Sequence, residues 1–402
     1  MRAVELFAGA GGLALGVGLA GFRPEVVIEW DKWACDTIRE NQQRANPLVG
    51  DWPLVEGDVR LHDFSTIQGE VDLVSGGPPC QPFSLGGKHK AYFDKRDMFP
   101  TTIDVVRTLR PKAFLIENVK GLTRAAFVNY LQYIMLQLTF PELAVRPNEA
   151  WLDHLARLEK EKTHGRRRGL TYDVVCRVLN AANHGVPQRR ERVFVVGFRH
   201  DIGARWSFPP ETHSLDALLR AQWVTGEYWD RHEVATKDRP VLDARSKSRI
   251  AKLKDMGDAD LGQPWQTVRD GLVGLPDPMK ARKAAKFWNH SFQGGARAYP
   301  GHTGSPLDLP AKTLKAGDHG VPGGENMMVT PNGQVRYFTV REAARLQTFP
   351  DNYVFHGAWS ETMRQLGNAV PVALARLMAG SVAIKLLEAE HEKIRAARGV
   401  VH

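Results

Sequence analysis

The feature that most constrains the fold is a rhythm at the start of the chain: apolar strand, sharp turn, helix, repeated. Residues 3–7 form a strand pattern that enters Ala8-Gly9-Ala10-Gly11-Gly12, followed by a helical run over 13–20 closed by Gly21. Strand, glycine turn and helix open a βαβ unit. A second strand at 25–28 ends in Glu29-Trp30-Asp31, and a helix over 32–43 follows. Gly57-Asp58-Val59 closes another strand and loop. The apolar run 71–75 is then broken by Gly76-Gly77-Pro78-Pro79 just before Cys80, and a further strand at 113–116 ends in Glu117-Asn118-Val119. This alternation predicts a doubly wound α/β sheet. Ligands of such sheets bind outside the carboxyl ends of the strands, so Phe7, Glu29, Asp58, Cys80 and Glu117 are expected on one rim.

The rhythm lapses after residue 125. Segments 127–134 and 151–162 read as helices, and the run Arg166-Arg167-Arg168 is a solvated loop or a phosphate contact. Strands return at 172–180 and 192–198. From 199 to about 333 the chain is rich in Gly, Pro, His and charge with weak periodicity, which predicts a second, irregular domain. A helix is expected over 336–346, with Thr339 as its cap and Glu342 completing a capping box. A last helix is expected from 372 to about 395.

With 402 residues the chain exceeds one typical core, and its net charge of +9 suits a polyanionic partner. Its three cysteines, Cys35, Cys80 and Cys176, show no metal or disulfide spacing, which predicts no metal site and a reducing cytoplasm. No membrane span or signal peptide is expected.

Several residues stand out chemically. Gly9-x-Gly11-x-x-Ala14, with Glu29 at the next strand end, fits a nucleotide-binding turn. Alone it does not separate a nicotinamide dinucleotide from S-adenosylmethionine. Trp30 could supply an adenine platform or could be a packing residue. Cys80 sits on a stiff turn, and the basic, glycine-rich loop after Ser84 is a candidate lid whose lysines would favour the thiolate. Cys35 and Cys176 read as core. Glu117, at the end of an apolar strand, is a candidate acid whose pKa burial would raise. Arg190 and Arg192 alternate around Glu191, which predicts that both project to one face, suited to a phosphate or a carboxylate.

Taken in order, Phe7-Ala8-Gly9-x-Gly11-Gly12, Pro78-Pro79-Cys80-Gln81-Pro82-Phe83-Ser84, Glu117-Asn118-Val119 and Gln188-Arg189-Arg190-Glu191-Arg192 form a set. Arg341-Glu342-x-Ala344-Arg345-Leu346-Gln347-x-Phe349-Pro350 and Gln365-x-Gly367-Asn368-Ala369-Val370 complete it. The set resembles the DNA cytosine-5 methyltransferases of bacterial restriction–modification systems over nearly the whole chain. The resemblance implies a Rossmann-like S-adenosylmethionine-dependent domain with a smaller target-recognition domain. It implies Cys80 as the nucleophile on cytosine C6, Glu117 as the acid at N3, and Arg192 with Arg190 as orienting groups. Phe7, Gly9, Gly11, Glu29, Trp30, Asp58, Val59, Pro79 and Asn368 would hold S-adenosylmethionine, leaving S-adenosylhomocysteine as product. Gln81, Ser84, Gln188, Thr313 and Leu314 would meet the substrate. Pro310-Ala311-Lys312-Thr313-Leu314 resembles the signature near the end of the recognition domain.

In that family the last motif folds back beside the first, so residues 1–198 plus 365–402 are expected as the catalytic domain and 199–364 as the recognition domain. The expected partner is double-stranded DNA, in the bacterial cytoplasm, with the protein a monomer functionally paired with a restriction endonuclease. Transfer RNA is the alternative substrate, as for some relatives. Two departures stand out: the segment between Glu117 and Tyr172 is long, and Ala369 stands where serine is common.

Overall fold

The computed structural model describes residues 1–79, 97–165, 169–256, 260–300, 303–316 and 324–399. The chain divides into two compact units: 1–179, 191–209 and 375–402 form the first, and 180–190 with 210–374 form the second. The short segment 180–190 and the start of the last helix thus group with the second unit. The expected division had placed both with the catalytic part.

The first unit is built on a seven-stranded sheet. In chain order its elements are β1 (Arg2–Leu6), α1 (Gly12–Leu19), β2 (Arg23–Glu29), α2 (Lys32–Gln43), β3 (Leu54–Glu56), β4 (Leu73–Gly76), α3 (Phe99–Leu109), β5 (Ala113–Val119), α4 (Val128–Thr139), α5 (Trp151–His164), β6 (Tyr172–Asn180) and β7 (Glu191–Arg199). The strand order is β3-β2-β1-β4-β5-β7-β6. Strands β3 to β5 pair in parallel, and β7 runs antiparallel to β5. The chain winds outward from β1 on one side and from β4 on the other. The switch point therefore falls between β1 and β4, where a crevice opens at the strand ends.

One face of the sheet joins Val4, Leu6, Val26, Ile28, Val74, Phe114 and Ile116 in a continuous core with α3 and α4. The segment after β5 is anchored to this core: Leu158 of α5 is fully buried, and His154 bridges Tyr133 Oη (2.7 Å) and Leu143 O (2.6 Å).

The second unit holds β8 (His213–Ser214), α6 (Leu215–Trp223), α7 (Glu227–Arg231), α8 (Ala244–Asp255), β9 (Gln263–Pro264), α9 (Val268–Gly271), α10 (Ala281–Ala284), β10 (Met327–Val329), β11 (Val335–Tyr337), α11 (Val340–Leu346) and α12 (Trp359–Asn368). It is more helical than its weak periodicity predicts. Leu218, Ala221, Tyr228 and Trp229 form a small core, and the Tyr228 hydroxyl meets Thr267 Oγ1 and Asp308 Oδ1, each at 2.9 Å. The helix expected from residue 336 begins only at Val340. Arg336 instead lies in β11 opposite Met328, and its guanidinium forks onto Glu342 at 2.7 and 2.6 Å. The predicted capping box of Thr339 and Glu342 is present.

Helix α13 (Val372–Gly399) closes the chain. By length and composition the helical stretch 359–396 is apolar enough to cross a membrane, contrary to expectation, and 56% of its most apolar window is buried within the protein. The physical reason is packing: Leu374, Ala375, Met378, Ala379 and Val382 are core residues.

Candidate active site

At the carboxyl end of β1 the backbone turns sharply. Phe7 takes φ 54°, Gly9 φ 55° and Gly11 φ 90°. Positive φ is cheap for glycine but costly for phenylalanine, and such strain persists where surrounding structure enforces it. A Cβ at Gly9 would meet nothing within 4 Å, so the turn borders open space. Glu29, at the end of β2, holds the turn from the side. Its carboxylate accepts from Gly9 N (2.7 Å), Trp30 N (2.8 Å) and Asp31 N (2.7 Å). Burial pushes its pKa up, and these three hydrogen bonds oppose the shift.

Trp30 is 70% exposed, so it is a free aromatic surface and not a packing residue. Asp58 accepts from Arg60 N (2.9 Å), and Arg60 Nε lies 3.0 Å from each of its oxygens. The guanidinium holds this carboxyl below its usual range. Val59 beside it is buried.

The end of β4 is the second wall. Gly76 is packed so tightly that a Cβ would fall 2.7 Å from Leu6 O. A Cβ on Gly77 would lie 3.2 Å from Glu117 Oε2, which places the acid directly against this turn. Asn118 donates its amide to Pro78 O (3.0 Å) and so ties the turn to β5. Pro79 is the last residue described here. Cys80, Gln81 and Ser84, with the candidate lid, lie outside the described residues, as does the arginine run 166–168.

Glu117 is 7% exposed and lies 2.9 Å from Arg192 Nε. The antiparallel register sets Val119 opposite Arg192, which lets the guanidinium reach back to the acid. Burial draws the Arg192 pKa down while Glu117 draws it up. One step outward, Lys120 Nζ meets both oxygens of Glu191 at 2.8 Å. The site thus joins a buried ion pair to a stiff turn, with open space at the neighbouring strand end.

Arg190 is placed differently from expectation. It precedes β7, is fully buried, and donates to Leu314 O (2.9 Å) and Gly367 O (2.6 Å) in the second unit. The one-face prediction fails because strand alternation holds only within a strand, and β7 begins at Glu191. Gln188, expected at the substrate, is also fully buried. It donates to Leu346 O and Gln347 Oε1 (both 3.2 Å) and accepts from Leu314 N (3.0 Å). Leu314 is buried, and Thr313 Oγ1 donates to Arg189 O (2.7 Å). Asn368 ends α12 in the second unit, exposed.

Cys35 and Cys176 fit the core reading. Burial pushes their thiols up to about 12 and about 11, which leaves them unreactive. Among the described residues no group of three His, Cys, Asp or Glu could hold a metal ion. Two residues of the quoted motifs had no role assigned from sequence, Asn118, which ties the turn to β5, and the hub Gln347, whose amide donates to Leu366 O and Ala369 O. Asn118 had a signal, being polar at the end of an apolar strand. Gln347 had none.

A mostly parallel sheet with an antiparallel β7, a glycine turn at its switch point and a buried acid on the neighbouring rim is the architecture of the Rossmann-like S-adenosylmethionine-dependent methyltransferases. The family profile of C-5 cytosine-specific DNA methylases matches residues 1–142 and 166–383, and the chain belongs to that family. It is a DNA cytosine-5-methyltransferase. The segment 143–165, which holds α5, lies outside the family match, as does 384–402. The chain is 32% identical over 392 residues to the type II methyltransferase M.PspPI of Psychrobacter sp. (strain TA137), covering 96% of this chain and 79% of the relative. It is 31% identical to M.Eco47II of Escherichia coli, covering 94% and 78%. Among solved structures, S. pombe Dnmt2 methyltransferase superposes with a TM-score of 0.53 at 18% identity, covering 96% of this chain and 98% of that one. Entamoeba histolytica methyltransferase EhMeth gives 0.57 at 13%, again covering 96% and 98%. These two likenesses bear on the fold.

Proposed function

We propose that the protein methylates C5 of a cytosine flipped out of a specific duplex DNA sequence, through a covalent adduct between Cys80 and C6. The observation that carries the reading is the buried Glu117–Arg192 pair set against the turn that leads to Cys80. C5 of cytosine is a poor nucleophile until C6 carries an adduct. The Cys80 thiolate forms the bond to C6 while Glu117 delivers a proton to N3, so no negative charge builds on the ring. Arg192 orients the Glu117 carboxyl and offsets its charge. After methyl transfer to C5, water takes the C5 proton, the bond to Cys80 breaks to release the thiolate, and the N3 proton returns to Glu117, which restores the neutral aromatic ring and both side chains. The target atom is inaccessible inside a duplex, so the base must leave the stack.

The described residues suit S-adenosylmethionine. The family implies this cofactor, and the open turn at Gly9, the exposed ring of Trp30 and the rim carboxylates Glu29 and Asp58 match its adenosine. The bound cofactor supplies an electrophilic methyl on a sulfonium. Glu29 faces the ribose end of this rim, Asp58 the adenine amine, and Asn368 contributes from the last motif. The second unit reads the target sequence, with Gln188, Thr313 and Leu314 shaping the surface from beneath, and Arg190 supports it. The enzyme acts as a monomer and protects DNA from a partner endonuclease in a restriction–modification system.

Bisulfite sequencing of a plasmid treated with enzyme and S-adenosylmethionine tests activity, target and position together. Converted cytosines at every site would remove the reading. Cys80→Ala should abolish methyl transfer while DNA binding survives, and undiminished turnover in that variant would sink the adduct.

A further inference from the structure

Glu5 is an anomaly of the central sheet. It lies within β1 between Val4 and Leu6, is 2% exposed, and sits in register opposite Ser75 of β4, which is fully buried. Glu5 Oε1 and Ser75 Oγ both lack a hydrogen-bond partner among the described residues. A buried polar atom left so costs free energy, and a buried carboxylate costs far more.

Among the described residues no charge faces Glu5 to offset this. Its partner on β2 is Val27, and beyond Ser75 lies Leu115 of β5. Helix α1, which packs on β2 and β4, carries no ionisable side chain. Glu29, at the end of β2, is held by three backbone N–H groups. The charged groups of α2 engage one another or β3: Lys32 with Asp36, Arg39 with Asp36 and Glu56, and Arg44 with Glu40. In α13, whose Ala375 packs on α1, Arg376 is exposed and Lys385 pairs with Glu388. Burial therefore dominates and pushes the carboxyl up to about 7, with Ser75 as the one opposing side chain.

The position gives this pair a consequence. β1 runs directly into the strained turn at Phe7, Gly9 and Gly11, and β4 runs directly into Gly77-Pro78-Pro79. Glu5 and Ser75 are thus the facing polar groups of the two strands that carry the cofactor turn and the thiol turn. We propose that Glu5 is a positioning residue acting as a neutral acid: uncharged, it packs against Ser75 and holds the two strands, and so their two turns, together, and loss of its proton loosens cofactor binding. The proposal rests on the reading of the two turns given above. The sign follows from linkage. The folded state holds this proton more tightly than the unfolded chain, so the contribution is present at low pH and lost as pH rises through about 7.

The test uses the full-length enzyme, Glu5→Gln and Ser75→Ala, with S-adenosylhomocysteine binding measured by calorimetry from about pH 6 to about pH 9. Wild-type affinity should fall by about fivefold or more, the low end of a site–site coupling. Glu5→Gln should stay flat near the low-pH value. Ser75→Ala should shift the fall to higher pH, since Ser75 favours the ionised form. An infrared difference spectrum, wild type minus Glu5→Gln without ligand, should show a carboxylic-acid C=O band at about pH 6 that fades by about pH 9. A Glu5→Gln enzyme with the wild-type pH dependence would overturn the proposal, as would absence of that band. Should Glu5→Gln fail to fold, an unmoved fall in Ser75→Ala would overturn it instead. Failure of the wild type to bind the ligand at any pH would count against the methyltransferase site, while the infrared band would still report on Glu5.

Discussion

Replacing Arg190 by methionine separates a structural arginine from a chemical one. The substitution keeps most of the stem and removes the guanidinium. Two charge-assisted hydrogen bonds, to Leu314 O and Gly367 O, are lost at a site with no exposure. Each such bond contributes about 1.5–3 kcal/mol, so the gross loss is about 3–6 kcal/mol. Relief of a buried charge offsets part of it, because an apolar replacement of similar volume escapes the desolvation cost. A net loss of about 2–4 kcal/mol is expected, confined to the second unit. The structure also says where it should appear. Gly367 is packed against the backbone of Lys315 and Ala316, so Arg190 staples the 314–316 segment to the end of α12. Urea denaturation should show the lowered midpoint, and amide exchange should quicken in peptides covering 314–316 and 365–369. Because the chain holds two units, exchange is the cleaner measure, as one unfolding midpoint need not describe both. Arg192→Met is the control: it should remove methyl transfer while leaving those peptides protected. An Arg190→Met enzyme with unchanged exchange and lost activity would refute this placement and return Arg190 to the chemistry.

Three further outcomes follow from the same geometry. Trp30→Ala should weaken S-adenosylhomocysteine binding about fivefold in calorimetry with an unchanged melting temperature, since the ring is exposed and its contribution is a stacking contact of about 1 kcal/mol. Gly367→Ala should destabilise by about 1–3 kcal/mol in a thermal melt, because the new methyl would fall 2.2 Å from Ala316 N, and backbone cannot step aside. Arg60→Ala should move the acid limit of cofactor binding upward: Asp58 is held low by Arg60, so without it the carboxyl takes a proton at higher pH and stops accepting from the adenine amine. Binding measured from about pH 3 to about pH 6 would show that shift, and an unmoved acid limb would count against Asp58 as the acceptor.

The sheet was legible in the sequence because β1, β2, β4 and β5 are largely apolar and are followed by glycine, proline or acid, and those breaks fall near the real strand ends, although β5 runs on through Glu117 to Val119. Glu117 could be placed on the rim because an acid after four apolar residues has few alternatives. The second unit was less legible. Helix α12 contains Gly367 near its end, α6 has only nine residues, and α8, though twelve long, buries only Ile250 and Leu253, so its apolar period is faint. Arg190 was misplaced for a local reason, since one residue before a strand the alternation of faces no longer applies. Gln188 and Leu314 resisted reading for another. Their partners lie more than 100 residues away in sequence, and such contacts leave no local pattern.

The close approach of Gly16 to Ala375 has a consequence for synthesis. A Cβ on Gly16 would fall 2.3 Å from Ala375 Cβ, so α1 is shaped to receive a helix made about 350 residues later. The sheet is complete only when β7 ends at Arg199, so at ribosomal rates of about 5–20 residues per second it waits on the order of 10–35 s with that surface uncovered. During that interval the first unit is an aggregation-prone intermediate that a chaperone could shield. A premature stop before residue 375 would leave it permanently in that state.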